Sequence, residues 1–293
     1  MKKTAILLLC IFGTITAKAQ EEIKPDSTKV WTCKGNFSLL FNQSTFSHWA
    51  AGGENNLSGN VGLNYDCNYK KDDWSWDNKI MASYGLVKTK NTPFEKKTDD
   101  RLEFNSLLGK KAKGQWSYSA FLNFRTQMTK GYLYGKDING AEIRTQITNI
   151  LSPGYLTFGP GMLWKKDENL NFNIAPITSK LTFVDPDFTL PNKAYFGVEE
   201  GNSMRYELGF YASGYYKFML MANVSLENML NVYSNYIDKP QIKKTDIDYQ
   251  LNVKMKINRY LSTNLAFQTI YDLDAYDGWQ TRQVFGAGVN FDF

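Results

Sequence analysis

Histidine is almost missing from this chain: one in 293 residues, with three cysteines and eight prolines. A nucleophilic or acid–base site built on imidazole therefore rests on His48 alone. No H-x-x-x-H pair and no cysteine cluster is present, so the spacing that holds a zinc ion is lacking, and no cofactor is expected. Long apolar runs are also missing. The longest, Ala5 to Phe12, falls well short of the roughly 20 residues that a membrane-spanning helix needs. No charge block, low-complexity tract or Gly/Ser linker interrupts the chain, which reads as one domain.

The apolar run that does exist has a different meaning. It follows Met1-Lys2-Lys3 and ends in Ala17-Lys18-Ala19, the basic start, apolar core and small-residue cleavage site of a secretory signal peptide. Cleavage after Ala19 is expected. A short periplasmic segment over 20–30 and a barrel domain over 31–293 would follow. Removing Lys2, Lys3 and Lys18 lowers the net charge from +5 to about +2, which gives no electrostatic case for a nucleic-acid partner. Cys33 and Cys67 remain, too few for a disulfide-stapled scaffold.

What the chain has in quantity is alternation. Leu57, Val61, Leu63, Tyr65, Cys67 and Tyr69 share one parity, with Ser58, Asn60, Asn64, Asp66 and Asn68 on the other. Ile247, Tyr249, Leu251, Val253 and Met255 alternate in the same way with Asp246, Asp248, Gln250, Asn252 and Lys254. A period of two means strand. Twelve such runs are read at 31–42, 56–70, 74–88, 99–112, 115–128, 153–166, 169–183, 203–217, 219–235, 245–259, 261–274 and 280–293. Most exceed ten residues, the length that a tilted strand needs to cross a bilayer.

The gaps between runs alternate long and short along the chain, as external loops and periplasmic turns do in an outer-membrane barrel. The last strand places Phe285, Val289, Phe291 and Phe293 on one face and ends on Phe293, so Phe291 and Phe293 are read as the signal for the barrel assembly machinery. Trp31, Trp74, Trp76, Trp116, Tyr132, Tyr134, Trp164, Tyr215, Tyr216 and Tyr260 fall near strand ends, the interfacial girdle position. The fold class is all-β: a transmembrane, antiparallel, up-and-down barrel of about twelve strands in the bacterial outer membrane. Outer-membrane lipids and lipopolysaccharide would be its surroundings.

Parity also sorts the lumen. Arg101, Glu103, Arg125, Arg205, Glu207, Asp246, Asp248 and Lys254 are expected to face inward as a charge network, together with Asp66, Glu227, Asp272, Arg282 and Asp292. Both signs are present in similar numbers, whereas a charge-selective pore is biased to one. A lumen cross-linked by ion pairs is the favoured expectation, and a path for a small solute the other. The first hairpin, centred near Ala50, sets Cys33 opposite Cys67 on the lipid-facing parity. Two unbridged thiols are expected there in preference to a disulfide.

The segments FSHWAAGGENNLSGN, KTDDRLEFNSLLGKK, ITNILSPGYLTFGPGM and INRYLSTNLAFQTIYDLDA resemble the domain of unknown function 3078 family, and the likeness runs nearly end to end. That resemblance implies a predicted outer-membrane barrel of Bacteroidota, with no activity, catalytic residue or ligand to carry over. Two functions from the residues stay open: a narrow channel for small solutes, or a scaffold or accessory subunit of an envelope complex. The alternative is a lipid hydrolase of the twelve-stranded phospholipase type. It is disfavoured because adjacent Ser47 and His48 on an extended segment point apart. The segment around His48 is instead read as a turn or lumen constriction made by Trp49, Gly52, Gly53 and Glu54.

Overall fold

Period-two alternation forms strands that bury neither face against a second sheet. The computed structural model describes residues 30–45, 55–90, 92–189, 191, 193–237 and 245–293. The strands are β1 (Trp31–Ser44), β2 (Asn56–Lys71), β3 (Trp74–Thr89), β4 (Lys96–Lys113), β5 (Trp116–Thr126), β6 (Gly131–Lys136) and β7 (Glu142–Thr148). They continue as β8 (Gly154–Asp167), β9 (Leu170–Phe183), β10 (Met204–Met221), β11 (Val224–Asn235), β12 (Thr245–Lys256), β13 (Leu261–Tyr271) and β14 (Trp279–Asp292).

Twelve of them close into an antiparallel barrel in the order β1-β14-β13-β12-β11-β10-β9-β8-β5-β4-β3-β2, while β6 and β7 pair as a separate hairpin. Closure leaves no sheet edge, which is the condition for a sheet to stand in hydrocarbon. The outward parity carries exposed apolar side chains, among them Phe41, Leu57, Ile80, Phe158, Leu230, Phe285 and Phe291. A continuous apolar exterior of this kind belongs in lipid. The chain is therefore a transmembrane barrel of the outer-membrane type, as the alternation predicts.

Polar groups on the outer wall are paired locally. Trp76 Nε1 donates to Ser106 Oγ at 2.7 Å, Ser106 Oγ donates to Asn78 Oδ1 at 2.9 Å, and Asn78 Nδ2 donates to the Cys67 carbonyl at 3.2 Å. Trp31 packs on Tyr69 and Trp76 beside this cluster, with ring centroids 5.2 and 5.8 Å away. The girdle reading needs amendment at three residues: Tyr215 shares the inward register of β10 with Tyr211, and Tyr132 and Tyr134 belong to the β6–β7 hairpin.

The seam between the first and last strands depends on glycine. Gly35 exchanges backbone hydrogen bonds with Phe293 (2.6 and 2.9 Å), and the Phe293 ring lies where a Gly35 side chain would stand. A Cβ on Gly288 would come within 2.0 Å of the Leu39 carbonyl oxygen. Phe293 also stacks on Tyr65 of β2 at 6.3 Å.

Three expectations are corrected. The break read near Phe218 does not end a strand: β10 runs on to Met221, which pairs with Val224 across an Ala222-Asn223 turn. Consecutive apolar residues from Phe218 to Met221 hide the alternation there. The gap from Thr129 to Ser152 contains the β6–β7 hairpin, pinned by Arg144 over Phe94 and Tyr132 and by the Lys96–Glu142 ion pair at 2.7 Å. Outside lipid, a hairpin needs no two-faced pattern, which is why alternation misses it. Cys33 does face Cys67 in register, but the two form a disulfide rather than free thiols.

Two measurements check this description. Gly288→Val is expected to reduce the heat-modifiable, folded form seen by electrophoresis, whereas Gly214→Ala, whose Cβ meets only the Phe172 ring at 3.9 Å, leaves assembly unchanged. Thiol labelling of the denatured, unreduced barrel is expected to leave Cys33 and Cys67 unmodified and to modify both after reduction.

Candidate functional site

The inward faces of the strands meet in the lumen, and long side chains span it. Lys79 on β3 reaches Glu227 on β11 at 2.5 Å, and these strands stand six positions apart in the ring of twelve. Arg101 on β4 donates to Gln250 Oε1 on β12 at 2.6 Å across the same six positions. Arg125 on β5 pairs with Asp248 on β12 at 2.5 Å, and Arg282 on β14 with Asp99 on β4 at 2.6 Å. Side chains from opposite walls are thus in direct contact.

Of the residues expected in the network, Arg101, Glu103, Arg125 and Asp248 form one connected group with Gln250. Glu103 accepts from Arg101 Nε at 3.1 Å, Asn105 Nδ2 at 2.8 Å and Asn123 Nδ2 at 3.3 Å. Asp248 also accepts from Gln268 Nε2 at 2.9 Å, and the Arg125 guanidinium sits 4.9 Å over the Tyr155 ring. Glu103 is 2% exposed and Gln250 1%, so this group closes around itself. A second group gathers Arg205, Glu207 and Asp246 about Lys180, which lies 2.6 Å from Asp246 and 3.5 Å from Glu207. Arg205 Nη2 is 3.4 Å from Glu207, and Arg205 Nη1 is 2.6 Å from Asp274. Lys254 stands apart from both and pairs with Asp292 near the short-turn end at 2.7 Å.

Between and beside these charges lies an apolar layer absent from the expected site. Phe121 of β5 stacks on Tyr211 of β10 with centroids 4.3 Å apart and planes 9° from parallel, against Ala175, Tyr233 and Leu107. Asn173 and Thr178, both on β9, are fully buried beside it. Among the described residues, three cavities along the lumen stand out. One of about 160 Å³ lies on the short-turn side by Lys79 and Lys165, one of about 70 Å³ by Arg125 and Lys180, and one of about 390 Å³ on the long-loop side by Arg101 and Arg282.

Parity alone misses Lys180. Asn171 and Asn173 face inward, and strict alternation from them turns Lys180 to the lipid. One extra residue in β9 between Ala175 and Thr178 resets the phase, because Tyr211 pairs with Ala175 while Gly209 pairs with Thr178. Pro176, which cannot donate to the ladder, sits in this bulge and is the signal that marks it. Gly159 and Gly161 on β8 make room for it, since a Cβ on either would lie 2.4 Å from a β9 carbonyl oxygen.

The candidate constriction of Trp49, Gly52, Gly53 and Glu54 lies outside the described residues, as does His48. Among the described residues no group of three or more His, Cys, Asp or Glu is placed to hold a metal ion.

The family model described as protein of unknown function (DUF3078) matches residues 41–132, and the resemblance read from the sequence is borne out over that segment. Comparison with curated proteins finds no match. Among solved structures the chain is similar to an outer membrane channel from Pseudomonas putida F1 (8% identity, 94% of this chain and 99% of that one, TM-score 0.38). It is also similar to the beta domain of the Bordetella autotransporter BrkA (10% identity, 90% and 99%, TM-score 0.34). A third similar structure is the translocator domain of the autotransporter NalP from Neisseria meningitidis (11% identity, 92% and 90%, TM-score 0.35).

The pairing predicts a sharp asymmetry. Arg101→Met leaves the Glu103 carboxylate buried without its cation and is expected to cost about 3–5 kcal/mol, whereas Arg101→Met combined with Glu103→Leu recovers most of that loss. The temperature at which the folded electrophoretic form is lost measures both.

Proposed function

We propose that this barrel sits in the outer membrane with its lumen closed, and serves as a scaffold or accessory subunit of an envelope complex rather than as an open pore. The observation that carries this reading is the contact of opposite walls: Lys79 with Glu227, Arg101 with Gln250, and Phe121 stacked on Tyr211 between them. Hydrated ions pass a pore only where water is continuous. Here a passing ion would have to part buried, mutually satisfied charges, each of which costs several kcal/mol to strand.

The rim supports the accessory role. The β6–β7 hairpin holds Leu133, Ile138 and Ile143 exposed beyond the barrel, on a platform fixed by Arg144 and the Lys96–Glu142 pair. Export by the leader over 1–19, insertion by the barrel assembly machinery through Phe291 and Phe293, and contact with outer-membrane lipids and lipopolysaccharide belong to the same proposal. So does the reading of the barrel as a protein without catalytic activity.

The three cavities favour one second reading, a narrow channel whose small solute moves between chambers when the mid-lumen pairs part. Planar-bilayer recording separates the two. The scaffold reading expects the purified barrel to give no discrete conductance steps at a protein density where a porin control conducts. It also expects Phe121→Gly combined with Tyr211→Gly to introduce steps. Discrete steps from the unmodified barrel establish the channel instead.

A further inference from the structure

At the short-turn end, the lipid-facing wall is unevenly built. Trp31, Trp74, Trp76, Trp116 and Trp164, five of the seven tryptophans in the chain, all stand there. Their strands β1, β3, β5 and β8, with β2 and β4 between, are consecutive in the ring. Lysines accompany them: register places Lys71 opposite Trp74, Trp74 opposite Lys110, and Lys113 opposite Trp116. Directly opposite residues share one face of a sheet, so these lysines lie on the lipid-facing wall with the exposed tryptophans. The wall from β9 to β14 differs. Its described lipid-facing strand residues at this end include Phe218, Leu226, Met255 and Leu261 but no lysine or arginine. The lysines at that end, Lys217, Lys254 and Lys256, belong to the inward register and pair with Glu227 or Asp292.

Trp74 is thus flanked by two cations, Lys71 on β2 and Lys110 on β4, the latter with Nζ 5.2 Å from the ring centroid. Among the described residues neither lysine has a carboxylate within ion-pair distance, Asp72 and Asp73 of the β2–β3 turn included. Neighbouring strands lie about 4.8 Å apart, which sets the two lysine backbones roughly 10 Å apart, close enough for both side chains to reach one phosphate between them. The rows toward the membrane centre are of another kind. Tyr69, Trp76 and Leu108 form the next row, with Trp31 packed on the first two. Past the mutually hydrogen-bonded Asn78 and Ser106 come Tyr65, Ile80 and Phe104. A free anion has no use for that surface, whereas a phospholipid joins a phosphate to acyl chains that would lie along it.

We propose that this sector binds an anionic phospholipid of the periplasmic leaflet, the leaflet that the short turns of an outer-membrane barrel face. Its phosphate is held between Lys71 and Lys110 against Trp74, and its acyl chains lie over Trp76 and Leu108. A zwitterionic headgroup brings its own cation to the two ammonium groups and is held less well. The site depends on the lipid-facing wall and not on the state of the lumen, so its failure leaves the scaffold reading untouched.

Native mass spectrometry of the full-length barrel in mixed micelles tests this by counting the phosphatidylglycerol and phosphatidylcholine retained from an equal mixture. The unmodified barrel is expected to prefer phosphatidylglycerol by about tenfold, the effect of two lysines at the membrane surface. Lys71→Gln combined with Lys110→Gln is expected to bring the two lipids to near-equal retention. Lys70→Gln combined with Lys111→Gln removes the same charge from positions one residue away, off the Trp74 row, and is expected to keep the preference. Heat-modifiable mobility reports assembly of each variant, and the preference of the unmodified barrel tests the proposal without any variant. Equal retention by the unmodified barrel, a preference that survives in the assembled Lys71→Gln/Lys110→Gln barrel, or equal loss in the Lys70→Gln/Lys111→Gln barrel overturns the proposal. So does displacement of the lipid by millimolar inorganic phosphate, which would make the free anion the ligand.

Discussion

Charge pairing across the lumen is the interaction on which the rest of this barrel depends. Lipid fixes the outer parity of every strand as apolar, so each ionisable residue in the spanning region is turned inward. Inside, the opposite wall stands within reach of a long side chain. The charges therefore reach one another, Lys79 to Glu227 and Lys180 to Asp246, and the distances of 2.5 and 2.6 Å show how completely the span is bridged. Such pairs add little net stability over an apolar filling, because desolvating each ion offsets the attraction. What they supply is registration: a strand slipped by one residue would carry its charges to the lipid.

The backbone irregularities serve that pairing. The bulge at Pro176 turns Lys180 inward, where Asp246, Glu207 and the Tyr233 ring at 5.0 Å receive it. Gly159 and Gly161 on the neighbouring strand admit the displaced backbone, and Gly35 and Gly288 admit the closing contact between β1 and β14. The apolar layer of Phe121, Tyr211, Ala175, Tyr233 and Leu107 then fills the space that ion pairs leave. The proposed closure of the lumen and the closure of the sheet rest on different residues.

Much of this was legible in the sequence, because a membrane barrel obeys a period of two with few exceptions. The twelve runs, the alternating gap lengths and the Cys33–Cys67 register all follow from that period and match the observed strands. The failures share a cause. Lys180 is absent from the expected lumen set because Pro176 breaks the period, the end of β10 is misread where four apolar residues erase it, and the β6–β7 hairpin is missed where lipid does not impose it. Across-lumen partners are a different matter. Parity shows that Arg101 and Asp248 face inward, but which opposite strand each reaches depends on the tilt and stagger of the closed barrel, which no single strand encodes. The Phe121–Tyr211 stack was missed because an inward aromatic on a polar parity carries no local signal.

The central claim is that no continuous water path crosses the mid-lumen at rest, and the accessibility of Thr178 tests it most directly. This residue is fully buried on β9 beside the aromatic layer. Thr178→Cys in liposome-embedded protein, treated from either side with a small charged thiol reagent, is expected to stay unmodified until the barrel is unfolded, with Cys33 and Cys67 silent in their disulfide. Rapid modification of the folded protein would contradict the account and establish an open lumen.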